Sequence, residues 1–207
     1  MHKKDIILIG AGGHSHACID VIEECNQFNI VGFVGLPEEL GEKHFGYTVV
    51  ATDDDIKRLS KEYRYAFITL GQIHSPQLRA HLYDKASMEG FDIPTIVSPT
   101  STVSKHAHVG KGSIIMHGAV VNAGAVIGEN CIINTLSLIE HDTSVGDNCH
   151  ISTRVVLNGN VNVGDLSFIG SGSVIKECLT VGRECVVGMG LAVRHDLNDN
   201  IKFLGYS

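Results

Sequence analysis

The sequence contains no tryptophan, only four prolines and no two cysteines in a CxxC spacing. The six cysteines stand apart from one another, which argues against a zinc knuckle or a redox motif and suits reduced thiols. Basic residues are outnumbered by acidic ones, 16 to 23, so the net charge is -7 and no basic field attracts a phosphate backbone. We therefore expect no nucleic-acid partner.

Long apolar runs are also missing. The longest run near the N-terminus, IILI, follows MHKKD and leads directly into glycines, so it is too short for a signal peptide or a membrane span. These features predict a cytoplasmic protein with no membrane partner. With 207 residues, 43% of them hydrophobic, the chain can bury a sizeable core in one large or two small domains.

The first part of the chain, residues 1–94, has a mixed α/β pattern. DIILIGAGG reads as a buried strand that runs into a glycine turn, HSHACIDVIEECNQ as a helix, NIVGFV as a second strand and YAFITLGQ as a third. DDDIKRLSKEY and SPQLRAHLYDKASMEGF read as further helices. The pattern predicts a small Rossmann-like β-α-β domain with a parallel sheet, in which ligands bind beyond the carboxyl ends of the strands.

The second part, residues 95–207, follows a six-residue repeat. Every sixth position is aliphatic without a slip of register, and the position four further on is usually small. Such a repeat predicts a parallel β-helix in which three hexads form one triangular coil and coils stack about 4.8 Å apart. The aliphatic positions are Val97, Val103, Val109, Ile115, Val121, Ile127, Ile133, Ile139, Val145, Ile151, Leu157, Val163, Ile169, Ile175, Val181, Val187 and Val193. The fold class expected for the chain is α/β plus all-β.

Residues eighteen apart share a column of this helix. His141 lies between Ala123 and Gly159, so its imidazole is left open above and below. Glu140 lies in a polar outward column, so a solvated ladder of polar side chains accounts for it as well as a role in the site does. His150 is half a coil away, so the two histidines converge more readily across a subunit interface than within one chain.

Histidine is frequent enough in this part to raise a metal site as an alternative. Three histidines around zinc at a trimer interface are typical of proteins similar to the γ-class carbonic anhydrases. Here His106, His108 and His117, together with His141 and His150, spread over different columns and show no tight ligand spacing. We expect no metal, and surface histidines without a role account for His106 and His108.

The stretch INTLSLIEHDTSVGDNCHIS, followed by GNVNVG and FIGSGSVI, closely resembles the NeuD/PglD-like family of bacterial nucleotide-sugar acetyltransferases. That family includes sialic-acid O-acetyltransferases and bacillosamine-pathway enzymes. Its members join a small α/β domain to a left-handed β-helix and work as homotrimers. The resemblance covers nearly the whole chain and implies acetyl-CoA as co-substrate and a nucleotide sugar as acceptor.

The resemblance also implies roles for particular residues. His141 matches the catalytic base and Asp142 the acidic residue that raises its basicity. The remaining matches are His150, Ser171 and Met189 for acetyl-CoA, and Gly12, Gly13, His14 and Gly71 for the nucleotide sugar. From column geometry rather than from the family, Gly159 is a candidate to bind the developing oxyanion through its backbone amide.

Two departures from the family pattern affect its binding sites. An acidic pair commonly follows the second strand, where this chain has Gly35 and Leu36, and the chain ends in KFLGYS instead of a Gly-x-Pro-Ala-like tail. The turn GAGGHSH also fails as a dinucleotide fingerprint, because GxGxxG from Gly10 requires glycine at position 15, which is Ser15.

The sequence therefore predicts an acetyl-CoA-dependent N-acetyltransferase that acts on a nucleotide-linked amino-deoxy sugar. No serine or cysteine stands at a nucleophile elbow near His141, which favours direct transfer over an acyl-enzyme. An O-acetyltransferase acting on a sialic-acid-like hydroxyl remains open as a second enzyme. From other classes, a zinc lyase of the γ-carbonic-anhydrase type and a non-catalytic β-helical scaffold remain open.

Overall fold

The computed structural model describes residues 3–73 and 75–205. By their contacts, the described residues of 1–71 and 77–96 form one compact unit, and those of 72–76 and 97–207 form a second. No helix in these described ranges is both long and apolar enough to cross a membrane.

The first unit is an α/β sheet domain. Its five strands are arranged in the order β3-β4-β2-β1-β5, all parallel except the short hairpin strand β3. The strands are β1 (Lys4–Ile9), β2 (Phe28–Gly35), β3 (Lys43–His44), β4 (Tyr47–Thr52) and β5 (Tyr65–Ile68). The helices are α1 (Gly13–Cys25), α2 (Ile56–Leu59) and α3 (Gln77–Met88), with 3₁₀ turns at Pro37–Glu39 and Asp53–Asp55.

This unit confirms the predicted β-α-β character but contains a strand that the sequence reading missed. YAFITLGQ was expected as the third strand, whereas β4 precedes it and pairs in parallel with β2. The residues of β4 alternate between half-exposed and buried because the strand lies near the sheet edge. Such a half-buried strand lacks the continuous apolar run that marked the central strands.

The second unit is a left-handed parallel β-helix of the hexapeptide type, as predicted. Its three faces are parallel sheets in which successive strands pair at a spacing of eighteen residues, except that the last strand follows its partner by sixteen. The first face comprises β7 (Thr102–Val103), β10 (Val120–Val121), β13 (Leu138–Ile139), β16 (Val156–Leu157), β19 (Val174–Ile175) and β22 (Ala192–Val193). The second comprises β8 (His108–Val109), β11 (Val126–Ile127), β14 (Ser144–Val145), β17 (Asn162–Val163) and β20 (Thr180–Val181). The third comprises β9 (Ile114–Ile115), β12 (Ile132–Ile133), β15 (His150–Ile151), β18 (Phe168–Ile169), β21 (Val186–Val187) and β23 (Lys202–Phe203), and β6 (Ile96–Val97) lies at the division between the units.

The aliphatic positions of the hexads fill the interior of the β-helix. Those from Ile115 to Val193 are all buried, and so are Cys131, Cys149 and Cys185, which lie at spacings that are multiples of eighteen and so share one column. Val97 departs from the pattern because it is 37% exposed at the start of the helix. Burial raises the pKa of the Cys149 thiol, which accords with a packing role.

The corners of the β-helix carry a second six-residue series, in which the backbone has a positive φ angle. Glycine holds this conformation at little cost, whereas most other residues are strained by it. Here it recurs at Gly112, Gly118, Gly124, Asn130, Leu136, Asp142, Asn148, Arg154, Asn160, Leu166, Gly172, Cys178, Glu184 and Gly190. Asp142, the predicted acidic partner of His141, therefore occupies a left-handed corner.

Candidate active site

His141 and Asp142 form a hydrogen-bonded pair at the corner that follows β13. On a regular strand, adjacent side chains point to opposite faces. At this corner Asp142 has a φ of 58°, and its Oδ2 lies 2.9 Å from Nδ1 of His141. A carboxylate can only accept a hydrogen bond, so Nδ1 carries the proton and Nε2 of the neutral ring keeps its lone pair.

The neighbouring carboxylates raise the pKa of His141 above its ordinary value. The hydrogen bond to Asp142 is the main cause; partial desolvation of the ring opposes it, and the negative charges of Asp142 and Glu140 add smaller upward effects. Both side chains of the pair are well exposed, His141 by 65% and Asp142 by 67%. The imidazole is therefore a stronger base than a free histidine and remains accessible to a substrate.

The far edge of the His141 ring lies against Gly159, one coil further along. A Cβ atom built on Gly159 would lie 2.7 Å from Nε2 of His141 and 2.8 Å from Cε1. Real Cβ atoms essentially never approach other atoms so closely. Residue 159 therefore has to be glycine for the imidazole to keep this position.

A cleft of about 460 Å³ opens beside the His141 side chain. In the described ranges, no acceptor is found for the backbone N–H of Gly159, which supports its expected role as a donor to an oxyanion. The cleft is lined by Glu140, His141, Asn158, Gly159, Asn160, Glu177 and Cys178.

Glu140 belongs to a polar ladder beside the pair. Its Oε2 accepts a hydrogen bond from Nδ2 of Asn122 at 3.0 Å and another from the backbone N–H of His141 at 3.3 Å. One coil further on, Nδ2 of Asn158 donates to the carbonyl of Ile175 at 2.7 Å. This ladder of polar side chains holds the backbone at the base of His141.

His150 lies on a different face and is only 5% exposed. Its Nδ1 donates to the carbonyl oxygen of Gln72 at 2.5 Å, and its Nε2 accepts from Nδ2 of Asn134 at 3.2 Å. Gln72 belongs by its contacts to the β-helical unit and also donates to the carbonyl of Asn148 at 2.9 Å. Both ring nitrogens of His150 are therefore engaged by groups of the same chain.

Ser171 and Met189 lie one above the other at another corner, where the backbone N–H of Gly190 donates to the Ser171 carbonyl at 2.9 Å. Both side chains are exposed, Met189 by 81%. This corner and the corner of His141 border the same sheet face, which contains β13, β16 and β19. The structure thus places these two predicted cofactor residues along one face with His141 and places His150 on the next face.

The four residues predicted to bind the nucleotide sugar come together in the α/β unit. Gly12 is the N-cap of α1, and Gly13 and His14 begin the helix, so backbone N–H groups are directed outward there. Space above Gly12 and Gly13 is open, since a Cβ on either would meet nothing within 4 Å. A Cβ on Gly71 would lie 3.1 Å from Cβ of His14, so Gly71 allows this close approach.

A cavity of about 260 Å³ lies beside that turn, at the carboxyl ends of β1 and β2. Two carboxylates at its wall, Glu39 and Asp53, escaped the sequence reading because they lie in short 3₁₀ turns that look like ordinary acidic surface loops. The lining residues are Gly10, Ala11, Gly12, Val34, Gly35, Leu36, Glu39, Asp53, Leu70, Leu78 and Leu82.

Arg79 is a second residue that the sequence did not reveal. It is fully buried, and its Nη1 donates to the carbonyls of Ile68 at 2.8 Å and Leu70 at 2.7 Å. An arginine in the first turn of a helix reads as a solvated side chain, because nothing local marks it as buried. Its contacts fix the end of β5 beside the cavity and the Gly71 turn.

Within residues 3–73 and 75–205, no group of three or more His, Cys, Asp or Glu side chains is placed to hold a metal ion.

Two family models match the chain. The PglD N-terminal domain matches residues 5–86, and the bacterial transferase hexapeptide model, which describes six repeats, matches residues 124–159 and 142–177. No match was found among curated proteins.

Several solved structures are similar over nearly the whole chain. PerB from Caulobacter crescentus, in complex with CoA and GDP-perosamine, is 30% identical with a TM-score of 0.88, over 94% of this chain and 91% of that one. A histidine-to-asparagine mutant of perosamine N-acetyltransferase from the same organism, also with CoA and GDP-perosamine, is 29% identical with a TM-score of 0.90 over 95% and 91%. The acetyltransferase domain of PglB from Neisseria gonorrhoeae, in complex with acetyl coenzyme A, is 29% identical with a TM-score of 0.88 over 96% and 95%.

Proposed function

The chain belongs to the PglD-like family of acetyl-CoA-dependent acetyltransferases, and on that premise we propose that it acetylates the amino group of a nucleotide-linked amino-deoxy sugar. The observation that carries this proposal is the orientation of His141. Its Nδ1–H is held by Asp142, which leaves Nε2 as the basic nitrogen of an exposed ring that lines an open cleft. The similar Caulobacter enzymes, crystallised with CoA and GDP-perosamine, support the choice of both substrates.

The residues of the cleft suffice for direct transfer. As the amine nitrogen attacks the thioester carbonyl, Nε2 of His141 takes the proton that the nitrogen loses. The tetrahedral oxyanion accepts a hydrogen bond from the N–H of Gly159. When the carbon–sulfur bond breaks, the thiolate of CoA recovers the proton from His141, and Asp142 stabilises the imidazolium in between. We place Ser171 and Met189 against acetyl-CoA, and Gly12, Gly13, His14 and Gly71 against the nucleotide sugar. The contact of His150 with acetyl-CoA stays a prediction of the family resemblance, because its side chain is 5% exposed and both its ring nitrogens are bonded within the chain.

The decisive test of the base is His141→Ala, with His106→Ala as the matched control because His106 is an exposed histidine of the same unit. We expect His141→Ala to lower turnover by about 10²-fold or more, because general-base catalysis contributes on the order of 10²–10⁴. The control should leave turnover unchanged. The assay is thiol release from acetyl-CoA against UDP-, GDP- and dTDP-linked amino sugars. Near wild-type turnover in His141→Ala would show that the base is misassigned.

Direct transfer has its own test, because the exposed thiol of Cys178 lines the cleft. A thioester on Cys178 would require that sulfur for every turnover. Under direct transfer Cys178→Ala retains most of its activity, and no acetylated protein accumulates when acetyl-CoA is supplied without acceptor. Loss of activity together with a trapped acetyl-enzyme in the unmodified protein would establish the acyl-enzyme route instead.

The N-acetyl product distinguishes the proposal from O-acetylation of a sugar hydroxyl. An amide resists neutral hydroxylamine, whereas an acetyl ester is cleaved by it, so the product of the active sugar decides between them. We also propose a homotrimer, since hexapeptide β-helices associate through their flat faces. Sedimentation velocity of the purified chain measures that assembly directly, and a monomer at active concentrations would exclude it.

A further inference from the structure

The cavity at the carboxyl ends of β1 and β2 has the shape of a nucleoside site. Apolar side chains form much of its wall, contributed by Val34, Leu70, Leu78 and Leu82. Its volume of about 260 Å³ is just below the range of roughly 300–1,000 Å³ that holds drug-sized ligands. It therefore has room for a base with its ribose but not for a complete nucleotide sugar.

The first carboxylate of the cavity is brought to the end of β2 by the following 3₁₀ turn. Oε2 of Glu39 accepts the backbone N–H of Leu36 at 2.8 Å. A Cβ on Gly35 would lie 2.7 Å from that same oxygen, so glycine at position 35 makes the space that Glu39 occupies. The acidic group that family resemblance places directly after the second strand is thus supplied here by a residue further along the chain.

The second carboxylate, Asp53, directly follows β4. Its side chain is half-buried, and partial burial raises its pKa, although the positive charge of Lys85 opposes that effect. Nζ of Lys85 donates a hydrogen bond to the Asp53 backbone carbonyl at 2.7 Å, not to its carboxylate. No hydrogen bond to the Asp53 carboxylate is found within the described ranges. A partly desolvated carboxylate in a cavity gains most from N–H donors of a ligand.

We propose that the nucleotide is a guanosine diphosphate, with Asp53 accepting the N1–H and N2–H groups of guanine and Glu39 accepting the ribose hydroxyls. This assignment rests on the proposed function for its choice of a nucleotide-linked substrate. The phosphates then extend toward the N-terminus of α1 at Gly12 and Gly13, where backbone N–H groups favour anions.

The chemistry of the cavity selects guanine among the bases. Two adjacent donors on its Watson–Crick edge match the two oxygens of one carboxylate, which can only accept. Uracil and thymine offer a single N–H between two carbonyl oxygens, and those oxygens repel a carboxylate. Adenine places an acceptor next to its amino group. All lining residues are glycine, aliphatic or acidic, so no side chain of the cavity donates to a base acceptor, and O6 of guanine has to bond to a backbone N–H or to water.

Calorimetric titration of the full chain with GDP, IDP, ADP, UDP and dTDP tests the assignment without requiring turnover. GDP should bind most tightly, and IDP, which lacks the N2 amino group, should bind about tenfold more weakly because one charge-assisted hydrogen bond is lost. Asp53→Asn should weaken GDP by about 10- to 100-fold and abolish the preference of GDP over IDP. Asp54→Asn makes the same change of charge at the neighbouring exposed residue and should bind as the unmodified protein does.

Glu39→Gln should weaken GDP and IDP by equal factors, since both carry the same ribose, and Glu38→Gln is its matched control. The Gln side chain retains an oxygen for the Leu36 N–H, and unchanged thermal unfolding will show that each variant is folded. Tighter binding of UDP or dTDP than of GDP, binding of none of the five, or an unchanged GDP-to-IDP ratio in Asp53→Asn would overturn the proposal.

The two proposals fail in different ways. Acetylation of a UDP- or dTDP-linked amino sugar in preference to a GDP-linked one refutes the guanine assignment and leaves the acetyl transfer standing. Tight, Asp53-dependent GDP binding without acetylation of any nucleotide amino sugar refutes the acetyl transfer and leaves the guanine assignment standing.

Discussion

Replacing Gly159 with alanine should damage catalysis far more than it damages the fold. The added Cβ would lie 2.7 Å from Nε2 of His141, whereas ordinary van der Waals contact begins at 3.4 Å, so the two atoms must separate by about 0.7 Å. The His141 side chain is 65% exposed and rotates away easily, which keeps the cost in unfolding free energy small. Its displacement from the catalytic position, however, is close to the 1 Å that costs on the order of 10²-fold in rate.

We therefore expect Gly159→Ala to lower kcat/KM by about 10- to 100-fold, which corresponds to about 1.4–2.7 kcal/mol of transition-state stabilisation. The midpoint of thermal unfolding should change by no more than a few degrees. The assay is steady-state thiol release at saturating acetyl-CoA with the best acceptor, alongside calorimetric unfolding of the same preparations.

A double-mutant cycle shows whether the clash with the imidazole is the cause. In a His141→Ala background there is no ring to displace, so Gly159→Ala should add little further loss. If the two losses instead multiply, the alanine acts independently of His141, for example by disturbing the backbone N–H that binds the oxyanion. Wild-type activity in the single Gly159→Ala variant would refute the reasoning from ring position altogether.

Three further predictions follow from the packing and electrostatics of the described residues. Because Asp142 raises the pKa of His141 and the base acts when neutral, Asp142→Asn should move the acidic limb of the kcat/KM pH profile to lower pH while lowering the plateau. Asparagine is compatible with the left-handed corner, so the variant should keep the backbone there. An unmoved limb would contradict the conclusion that Asp142 raises the pKa of the base. Ile151→Ala should cost about 2–5 kcal/mol in denaturant unfolding and Ile151→Val about 0.5–1.5 kcal/mol, and equal costs would contradict a tightly packed column. Arg79→Met should weaken nucleotide binding in calorimetry without changing the KM for acetyl-CoA, because its hydrogen bonds to the carbonyls of Ile68 and Leu70 hold the end of β5 beside the nucleotide cavity.

The β-helix was predictable because its signal is repeated. Each hexad is a weak indication by itself, but an unbroken aliphatic register over the second part of the chain leaves few alternatives, and the column positions of His141 and Gly159 follow by counting. The contact between His141 and Asp142 was less certain, because strand alternation argues against it. The corner conformation at Asp142, which no local sequence rule required, brings the two side chains together.

The α/β unit was predictable in class but not in detail. Strand β4 lies near an edge and alternates weakly, so it did not stand out beside the continuous apolar strands β1 and β2. The roles of Glu39 and Arg79 could not be predicted from the sequence for a different reason. Glu39 reaches the end of β2 through a 3₁₀ turn, and Arg79 bonds to the end of β5 from a helix later in the chain, so both roles depend on tertiary packing. Reading Gly35 as a missing acidic residue was incomplete, since the structure fills its space with the carboxylate of Glu39.

The left-handed corners have a consequence for how this protein tolerates insertions and deletions. The corner that orients Asp142 beside His141 is one of a series with the same backbone turn, spaced six residues apart. Adding or removing eighteen residues elsewhere in the β-helix would return every later corner to the same edge of the prism and would only raise or lower it by one coil. Removing six between the two corners would carry the corner of Ser171 and Met189 to an edge that does not border the face it shares with His141, and adding six there would carry it onto the edge that His141 itself occupies, so either change breaks their arrangement across that face. We therefore expect insertions and deletions in this β-helix to be tolerated when they add or remove a whole coil of eighteen residues, and not when they add or remove a single hexad.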